Sequence, residues 1–117
     1  MKLIDESMYV EVKGKKMFCR TMGSGQEIIV ILPGYNVQLP SVEFAPLMRK
    51  LAAKYTVCTL EFFGYGRSDS TDEARTSENF VTEIRCALKE IGLKPPYHLL
   101  PYSIAGIYAE YYAANFP

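Results

Sequence analysis

The chain has 117 residues, of which 49% are hydrophobic and 22% are charged, enough to build the core of one soluble domain. Thirteen basic residues balance thirteen acidic ones without a block of like charge, which argues against a nucleic-acid or anionic membrane surface. The first ten residues contain two acidic side chains where a signal peptide needs an apolar stretch, and no later run approaches the ~20 residues of a membrane span. We therefore expect a cytoplasmic domain, with no nucleic-acid or membrane partner, whose specificity comes from a pocket.

The cysteines give no sign of a disulfide framework or of a metal site. The chain has three cysteines, an odd number, at the widely spaced positions Cys19, Cys58 and Cys86. It has no CxxC motif, and its sequence contains one histidine that could help to bind a metal. We expect buried free thiols, no metal and no cofactor.

The first half of the chain predicts a hairpin followed by a buried strand. Residues 8–12 alternate in hydrophobicity, and after Gly14 the segment 15–23 can pair with them as an antiparallel partner. Residues 27–34 contain five consecutive apolar side chains, which suits a strand covered on both faces by helices.

The next segments continue as alternating helices and strands. A helix is predicted over 42–54 with Ser41 as N-cap, followed by a strand over 55–63 and a loop over 64–72. A second helix is predicted over 76–91, ended by Gly92.

The last segments are a strand over 97–102 and a helix over 104–115. In that helix Ile107, Tyr108, Tyr111 and Tyr112 share one side. The complete order β-β-β-α-β-α-β-α predicts an α/β sandwich with a mostly parallel sheet, helices on both faces and an N-terminal antiparallel hairpin.

Ser103 lies at the carboxyl end of the last predicted strand, on the edge where open α/β sheets bind ligands. One interpretation is an ordinary capping serine at the start of a helix. The other is a nucleophile on a sharp strand-to-helix turn, which needs small neighbours on both sides. Ala105 and Gly106 satisfy that need, whereas Pro101 departs from the usual glycine.

Three segments together resemble the α/β-hydrolase superfamily in its serine-nucleophile branch. EIIVILPGYN resembles the strand and oxyanion loop, with Pro33-Gly34 where His-Gly is common. LEFFGYGRSD resembles the GxGxS loop at Gly64, Gly66 and Ser68, and lacks the third glycine of a dinucleotide-binding loop. YHLLPYSIAGIYAEYYAANFP resembles the nucleophile elbow and its helix.

The resemblance implies roles for particular residues. Ser103 would be the catalytic nucleophile with positive φ, and the backbone N–H groups of Ile104 and Tyr35 would form the oxyanion hole. The side chains of Ile104 and Tyr35 would shape the acyl pocket. The strand at 27–33 would lie between those at 55–62 and 97–102.

The chain does not contain the rest of such a catalytic triad. The family order is Ser, then Asp or Glu, then His, but only Glu110 and no histidine follows Ser103. His98 is five residues earlier on the same strand and is expected to be a core or sheet histidine. We therefore expect 1–117 to be a partial domain, the N-terminal half of a hydrolase.

The parent enzyme would act on a small-molecule ester, thioester or amide through an acyl-enzyme, and the 117-residue chain alone would be inactive. An aminopeptidase of the same fold and a non-catalytic interaction protein are the alternatives. Because its next neighbour would be missing, the strand at 97–102 is expected to be an exposed sheet edge open to self-association.

Overall fold

The computed structural model describes residues 4–34 and 37–116 of the chain. The elements in these ranges are β1 (Asp5–Val12), β2 (Lys15–Met22), β3 (Ile28–Leu32), α1 (Pro40–Glu43), α2 (Ala45–Leu51), β4 (Thr56–Leu60), α3 (Ser77–Ile91), β5 (Tyr97–Pro101) and α4 (Ala105–Asn115). The described strands form one five-stranded sheet in the order β1-β2-β4-β3-β5.

The sheet has an antiparallel end and a parallel end, as predicted. β1 and β2 form an antiparallel hairpin, and β2 also pairs antiparallel with β4. β3 lies between β4 and β5 and is parallel to both. The carboxyl ends of these three parallel strands therefore meet at one edge of the sheet, where Ser103 follows β5.

Side chains of β3 alternate between two hydrophobic layers, which explains its unbroken apolar run. Val30 and Leu32 belong to the cluster that includes residues of α3 and α4, and Ile29 and Ile31 belong to the cluster that includes residues of α2. The predicted arrangement of helices on both faces of the sheet is confirmed. No helix in the described ranges is long and apolar enough to cross a membrane.

Helix α3 begins and ends where the sequence indicates. The Thr76 side chain accepts a hydrogen bond from the Asn79 N–H at 3.1 Å, and Gly92 ends the helix with φ 94°. Its buried apolar residues are Phe80, Val81, Ile84, Ala87 and Leu88. Glu83 is buried as well, and the guanidinium of Arg75 donates two hydrogen bonds of 3.0 Å to its carboxylate.

The helix predicted over 42–54 is wrong as one continuous element. Two short helices replace it, separated at Phe44. Pro40 starts the first, because its fixed φ suits the first helical position, and Pro46 lies in the first turn of the second. Ser41 is not the N-cap: Leu39 holds that position and Ser41 is buried inside α1.

The apolar side predicted for α4 is correct only in part. Tyr112 and Ala105 are buried, and Tyr108 and Tyr111 are half-buried against the same cluster. Ile107 is 56% exposed, so it does not belong to the core side. Less of the surface of α4 is buried than the predicted apolar side of four residues implies.

A buried carboxylate organises the loop that follows β4. Glu61 is fully buried, and its oxygens accept hydrogen bonds from the Ser41 hydroxyl (2.7 Å), the Ser41 N–H (3.1 Å) and the Arg67 N–H (2.8 Å). The Ser68 hydroxyl donates a hydrogen bond to the Glu61 carbonyl and accepts one from the Phe18 N–H. The GxGxS segment is therefore a structural turn that ties α1 and β2 to the end of β4.

Replacing Gly66 by alanine should be more damaging than the same change at Gly64. Both glycines have positive φ, which costs an alanine roughly 1–2 kcal/mol. A Cβ at Gly66 would also lie 2.3 Å from a Glu61 carboxylate oxygen, whereas one at Gly64 meets no atom within 4 Å. We expect urea unfolding to show Gly66→Ala less stable than Gly64→Ala by at least about 1 kcal/mol. Equal losses would contradict the packing described for Glu61.

The prediction of buried free thiols is confirmed for two cysteines and wrong for the third. Cys19 and Cys58 are free and buried, and burial raises the pKa of each thiol to about 12. Cys86 is free but half-buried, because it lies toward the open side of α3.

Thiol titration should separate the two environments. A buried thiol with a raised pKa supplies almost no thiolate at pH 8, so we expect one thiol, Cys86, to react rapidly with Ellman's reagent in the folded protein. All three should react in denaturant. Rapid reaction of two or more thiols under native conditions would contradict the burial of Cys19 and Cys58.

Candidate active site

The turn between β5 and α4 has the backbone conformation predicted for a nucleophile elbow. Ser103 has φ 57°, in the left-handed region that non-glycine residues seldom adopt. The Tyr102 N–H donates to the Leu32 carbonyl at 2.9 Å, so β5 remains paired with β3 up to the residue before the turn. The Ala105 N–H then donates to the Tyr102 carbonyl at 3.2 Å, which closes the turn into the helix.

The hydroxyl of Ser103 does not serve as a helix cap. Ile104 occupies the N-cap position of α4, and no side chain makes a capping hydrogen bond there. Ser103 is exposed, and its hydroxyl has no hydrogen-bond partner among the described residues. The capping interpretation is therefore wrong.

Close backbone approach requires a small residue at Gly34, beside Ser103, whereas the small size predicted to be needed at Gly106 is not required, because an added Cβ there would meet no atom within 4 Å. Ala105 is fully buried. On the neighbouring strand end, a Cβ added to Gly34 would lie 2.7 Å from the Tyr102 carbonyl oxygen and 3.0 Å from the Ser103 Cβ. Pro101 fits because its position on β5 needs no N–H toward β3, as the bond from Tyr102 shows.

The N-terminus of α4 offers an unused donor beside Ser103. No carbonyl of the described residues accepts a hydrogen bond from the Ile104 N–H. This donor lies at the positive end of an 11-residue helix, where developing negative charge is stabilised. The second predicted donor, Tyr35, lies outside the described residues.

Apolar side chains flank the serine. Tyr102, Ile104 and Ile107 are 53%, 43% and 56% exposed, respectively. The Tyr102 ring packs edge-on against Phe44, with 5.9 Å between centroids, and this contact joins the elbow to the α1–α2 segment. The sequence gives no signal for this contact, because 58 positions separate the two rings.

The described residues supply no general base for Ser103. His98 is exposed, and its Nε2 lies 3.0 Å from Glu27 Oε1 just before β3, at the opposite end of the strands. The four residue steps from His98 to Tyr102 span about 13 Å of extended chain, far beyond hydrogen-bond reach. The expectation of a sheet histidine is confirmed, whereas its placement in the core is wrong.

Glu110 does not complete a triad either. It is exposed and lies on α4, with no histidine between it and Ser103 among the described residues. Those residues also contain no group of three or more His, Cys, Asp or Glu side chains that could hold a metal ion.

Comparison with known sequences finds no matching family model. The chain is 35% identical over 108 residues to the uncharacterized protein YbdG of Bacillus subtilis, covering 92% of this chain and 33% of that protein. It is 29% identical over 93 residues to the uncharacterized protein YqjL of the same organism, covering 80% of this chain and 36% of that protein. The chain thus spans about a third of the length of the curated relatives it matches.

Solved structures identify the fold. The chain superposes on the Cif epoxide hydrolase from Acinetobacter nosocomialis with a TM-score of 0.85 and 21% identity, over 97% of this chain and 35% of that one. A thioesterase domain from the curacin biosynthetic pathway superposes with a TM-score of 0.83 and 22% identity, and the match covers 97% of this chain and 41% of that one. A protein described as a predicted CIB-like hydrolase from Thermoplasma acidophilum superposes with a TM-score of 0.86 and 20% identity, and the match covers 99% of this chain and 59% of that one.

The chain therefore has a partial α/β-hydrolase fold. Its mixed five-stranded sheet, with an N-terminal antiparallel hairpin and parallel strands flanked by helices, is the part of that fold that ends with the elbow and its helix.

Two glycine substitutions test the contact between β3 and the elbow. Gly34→Ala should destabilise the protein by about 1–3 kcal/mol, because the new methyl group would collide with the Tyr102 backbone. Gly106→Ala is the control: it lies in α4 with no atom within 4 Å of an added Cβ, and it should be neutral or stabilising by up to about 1 kcal/mol. Chemical denaturation of both variants measures the difference. A neutral Gly34→Ala would contradict the close approach.

Proposed function

We propose that this chain is the nucleophile-bearing part of a serine hydrolase that acts on an ester, thioester or amide. The observation that carries the proposal is the strained left-handed conformation of Ser103, an exposed serine at the carboxyl edge of a parallel sheet. Backbone strain of this kind persists where the surrounding structure fixes it, and it recurs at catalytic sites.

The site is suited to acyl transfer. Ser103 Oγ would attack the substrate carbonyl carbon, and the N–H groups of Ile104 and Tyr35 would donate to the resulting oxyanion. A base would take the serine proton and return it to the leaving group, which leaves an acyl-serine for water to hydrolyse. Tyr102, Ile104 and Ile107 would provide apolar contacts for the acyl chain.

The base and its orienting acid would come from the region of the longer relatives that this chain does not match. Without a base, the Ser103 hydroxyl is a weak nucleophile. An intact serine hydrolase that loses triad members can retain roughly 10³–10⁴-fold catalysis over water from its oxyanion hole and binding site. The remaining pocket walls would come from the same unmatched region, so we expect the isolated 117-residue chain to lose most of even this remainder.

A chimera tests the proposal. The segment of YbdG that matches this chain would be replaced by the 117 residues, and hydrolysis of p-nitrophenyl acetate would be compared with that of the isolated chain. We expect turnover by the chimera to fall at least about 10³-fold on Ser103→Ala, and the isolated chain to show no turnover above its own Ser103→Ala variant.

The matched control is Ser24→Ala. Ser24 is an exposed serine between β2 and β3, at the opposite end of the strands, and its substitution should leave the rate unchanged. A folded chimera whose turnover survives Ser103→Ala would overturn the proposal. Ser103-dependent turnover by the isolated chain would instead show that another copy of the chain supplies the base.

A non-catalytic interaction protein is the second candidate. The observation that favours it is that, among the described residues, no strand pairs with the outer side of β5 beside the elbow and no side chain supplies a base to Ser103. In this case the chimera would fold, bind no acyl substrate and give no Ser103-dependent rate.

A further inference from the structure

Two fully buried glutamates lie on opposite faces of the sheet. Glu83 belongs to α3, and the guanidinium of Arg75 donates two hydrogen bonds to it. Glu61 follows β4, and its side chain bonds Ser41 of α1 on the other face. Burying a carboxylate is costly unless its oxygens accept hydrogen bonds, so each glutamate holds its donors in a defined place.

Ser41 is held from two sides. Its N–H and its hydroxyl both donate to Glu61 Oε2, at 3.1 and 2.7 Å, and its carbonyl accepts from Arg20 Nη1 at 2.7 Å. Arg20 is itself fixed, because its Nε and Nη2 donate to the Asp5 carboxylate at 2.9 and 2.8 Å. Helix α1 has four residues and few hydrogen bonds of its own, so the bonds to Glu61 and Arg20 determine where it lies.

Phe44 connects α1 to the elbow. It follows α1 directly, and its N–H donates to the Pro40 carbonyl at 3.0 Å. Its ring packs edge-on against Tyr102, with 5.9 Å between centroids. The Tyr102 ring also lies beside Gly34, because its Cδ1 would be 2.9 Å from a Cβ added there. The Tyr102 ring is therefore packed between the end of β3 and the end of α1.

The two ends of the connection from β3 to α1 thus meet the same aromatic ring. Gly34 contacts the ring at the start of the connection, and Glu61 fixes α1 at its end through Ser41. The proposed function assigns an oxyanion donor to this connection. A shift of α1 would change the packing of Tyr102, which directly precedes Ser103.

We propose that Glu61 is a positioning residue for the reaction at Ser103, an inference that rests on the proposed hydrolase function. The buried carboxylate fixes α1 through Ser41, and α1 fixes the packing of Tyr102 through Phe44. A displacement of about 1 Å at a reacting centre can cost roughly 10²-fold in rate. The contact made by Glu61 should therefore act on kcat more than on KM.

The first test compares Glu61→Gln with Glu83→Gln in the YbdG chimera. Glutamine keeps the shape of the side chain, but its amide nitrogen cannot accept a hydrogen bond from any of the donors that surround Glu61. With p-nitrophenyl acetate, we expect Glu61→Gln to lower kcat at least about tenfold and to change KM less than about threefold. Glu83→Gln also removes a buried carboxylate, but on the other face, and should leave kcat within about twofold of the parent chimera. Circular dichroism checks that both variants are folded at the assay temperature.

A milder pair of variants covers the case in which Glu61→Gln does not fold. Ser41→Ala removes the hydroxyl bonded to Glu61 and keeps the N–H, so it should lower kcat in the same direction by a smaller factor. Its control is Thr56→Val, which removes a buried hydroxyl bonded to the Gly25 carbonyl at the amino end of β4 and should leave kcat unchanged. Because Glu61 and Ser41 act through one contact, the double variant should lose less than the product of the two single losses.

The second readout does not depend on activity. In the 117-residue chain, the nuclear Overhauser effect between the ring protons of Phe44 and Tyr102 reports their contact. We expect Glu61→Gln to weaken it and Glu83→Gln to leave it unchanged.

The outcomes separate this role from the proposed function. Ser103-dependent turnover with an unaltered kcat in Glu61→Gln would overturn the positioning role alone, and so would equal losses of kcat in Glu61→Gln and Glu83→Gln. An unchanged contact between Phe44 and Tyr102 in Glu61→Gln would also overturn it. Turnover of the chimera that does not depend on Ser103 would overturn the proposed function and this role with it.

Discussion

The site depends on how closely the end of β3 approaches the turn after β5. Gly34 leaves no room for a side chain against Tyr102 and Ser103, and the Tyr102 N–H continues the β3–β5 pairing to the last residue before the turn. The chain must then reverse sharply into α4, and Ser103 takes up the left-handed conformation that this reversal requires. Strand pairing thus holds Ser103 in its strained backbone conformation, and in this conformation the serine side chain is exposed.

A second constraint holds the neighbouring loops in place. The fully buried carboxylate of Glu61 joins Ser41 of α1 to the Arg67 backbone of the loop after β4. Burying a carboxylate is costly unless its oxygens accept hydrogen bonds, and three donors satisfy that need. Phe44 follows α1 directly and packs against Tyr102, so the carboxylate also helps to position the apolar side of the elbow.

Local patterns predict most of the fold, and long-range contacts account for the errors. Unbroken apolar runs identify β3 and β4 because both of their faces are covered, and Thr76 and Gly92 mark the ends of α3. Ser41 looks like an N-cap in sequence, but its hydroxyl bonds Glu61 twenty positions away, and no local pattern encodes that pairing. The sharp turn at Ser103 is predicted from its flanking residues, whereas the contact of Gly34 with it appears only once β3 and β5 are paired.

The most direct measurement of the central claim is covalent trapping in the chimera that carries these 117 residues within YbdG. A fluorophosphonate reacts with an activated serine, and peptide mass mapping locates the modified side chain. The account predicts one adduct, on Ser103. An adduct on another serine, or no adduct in a chimera that hydrolyses esters, would contradict the assignment of Ser103 as the nucleophile.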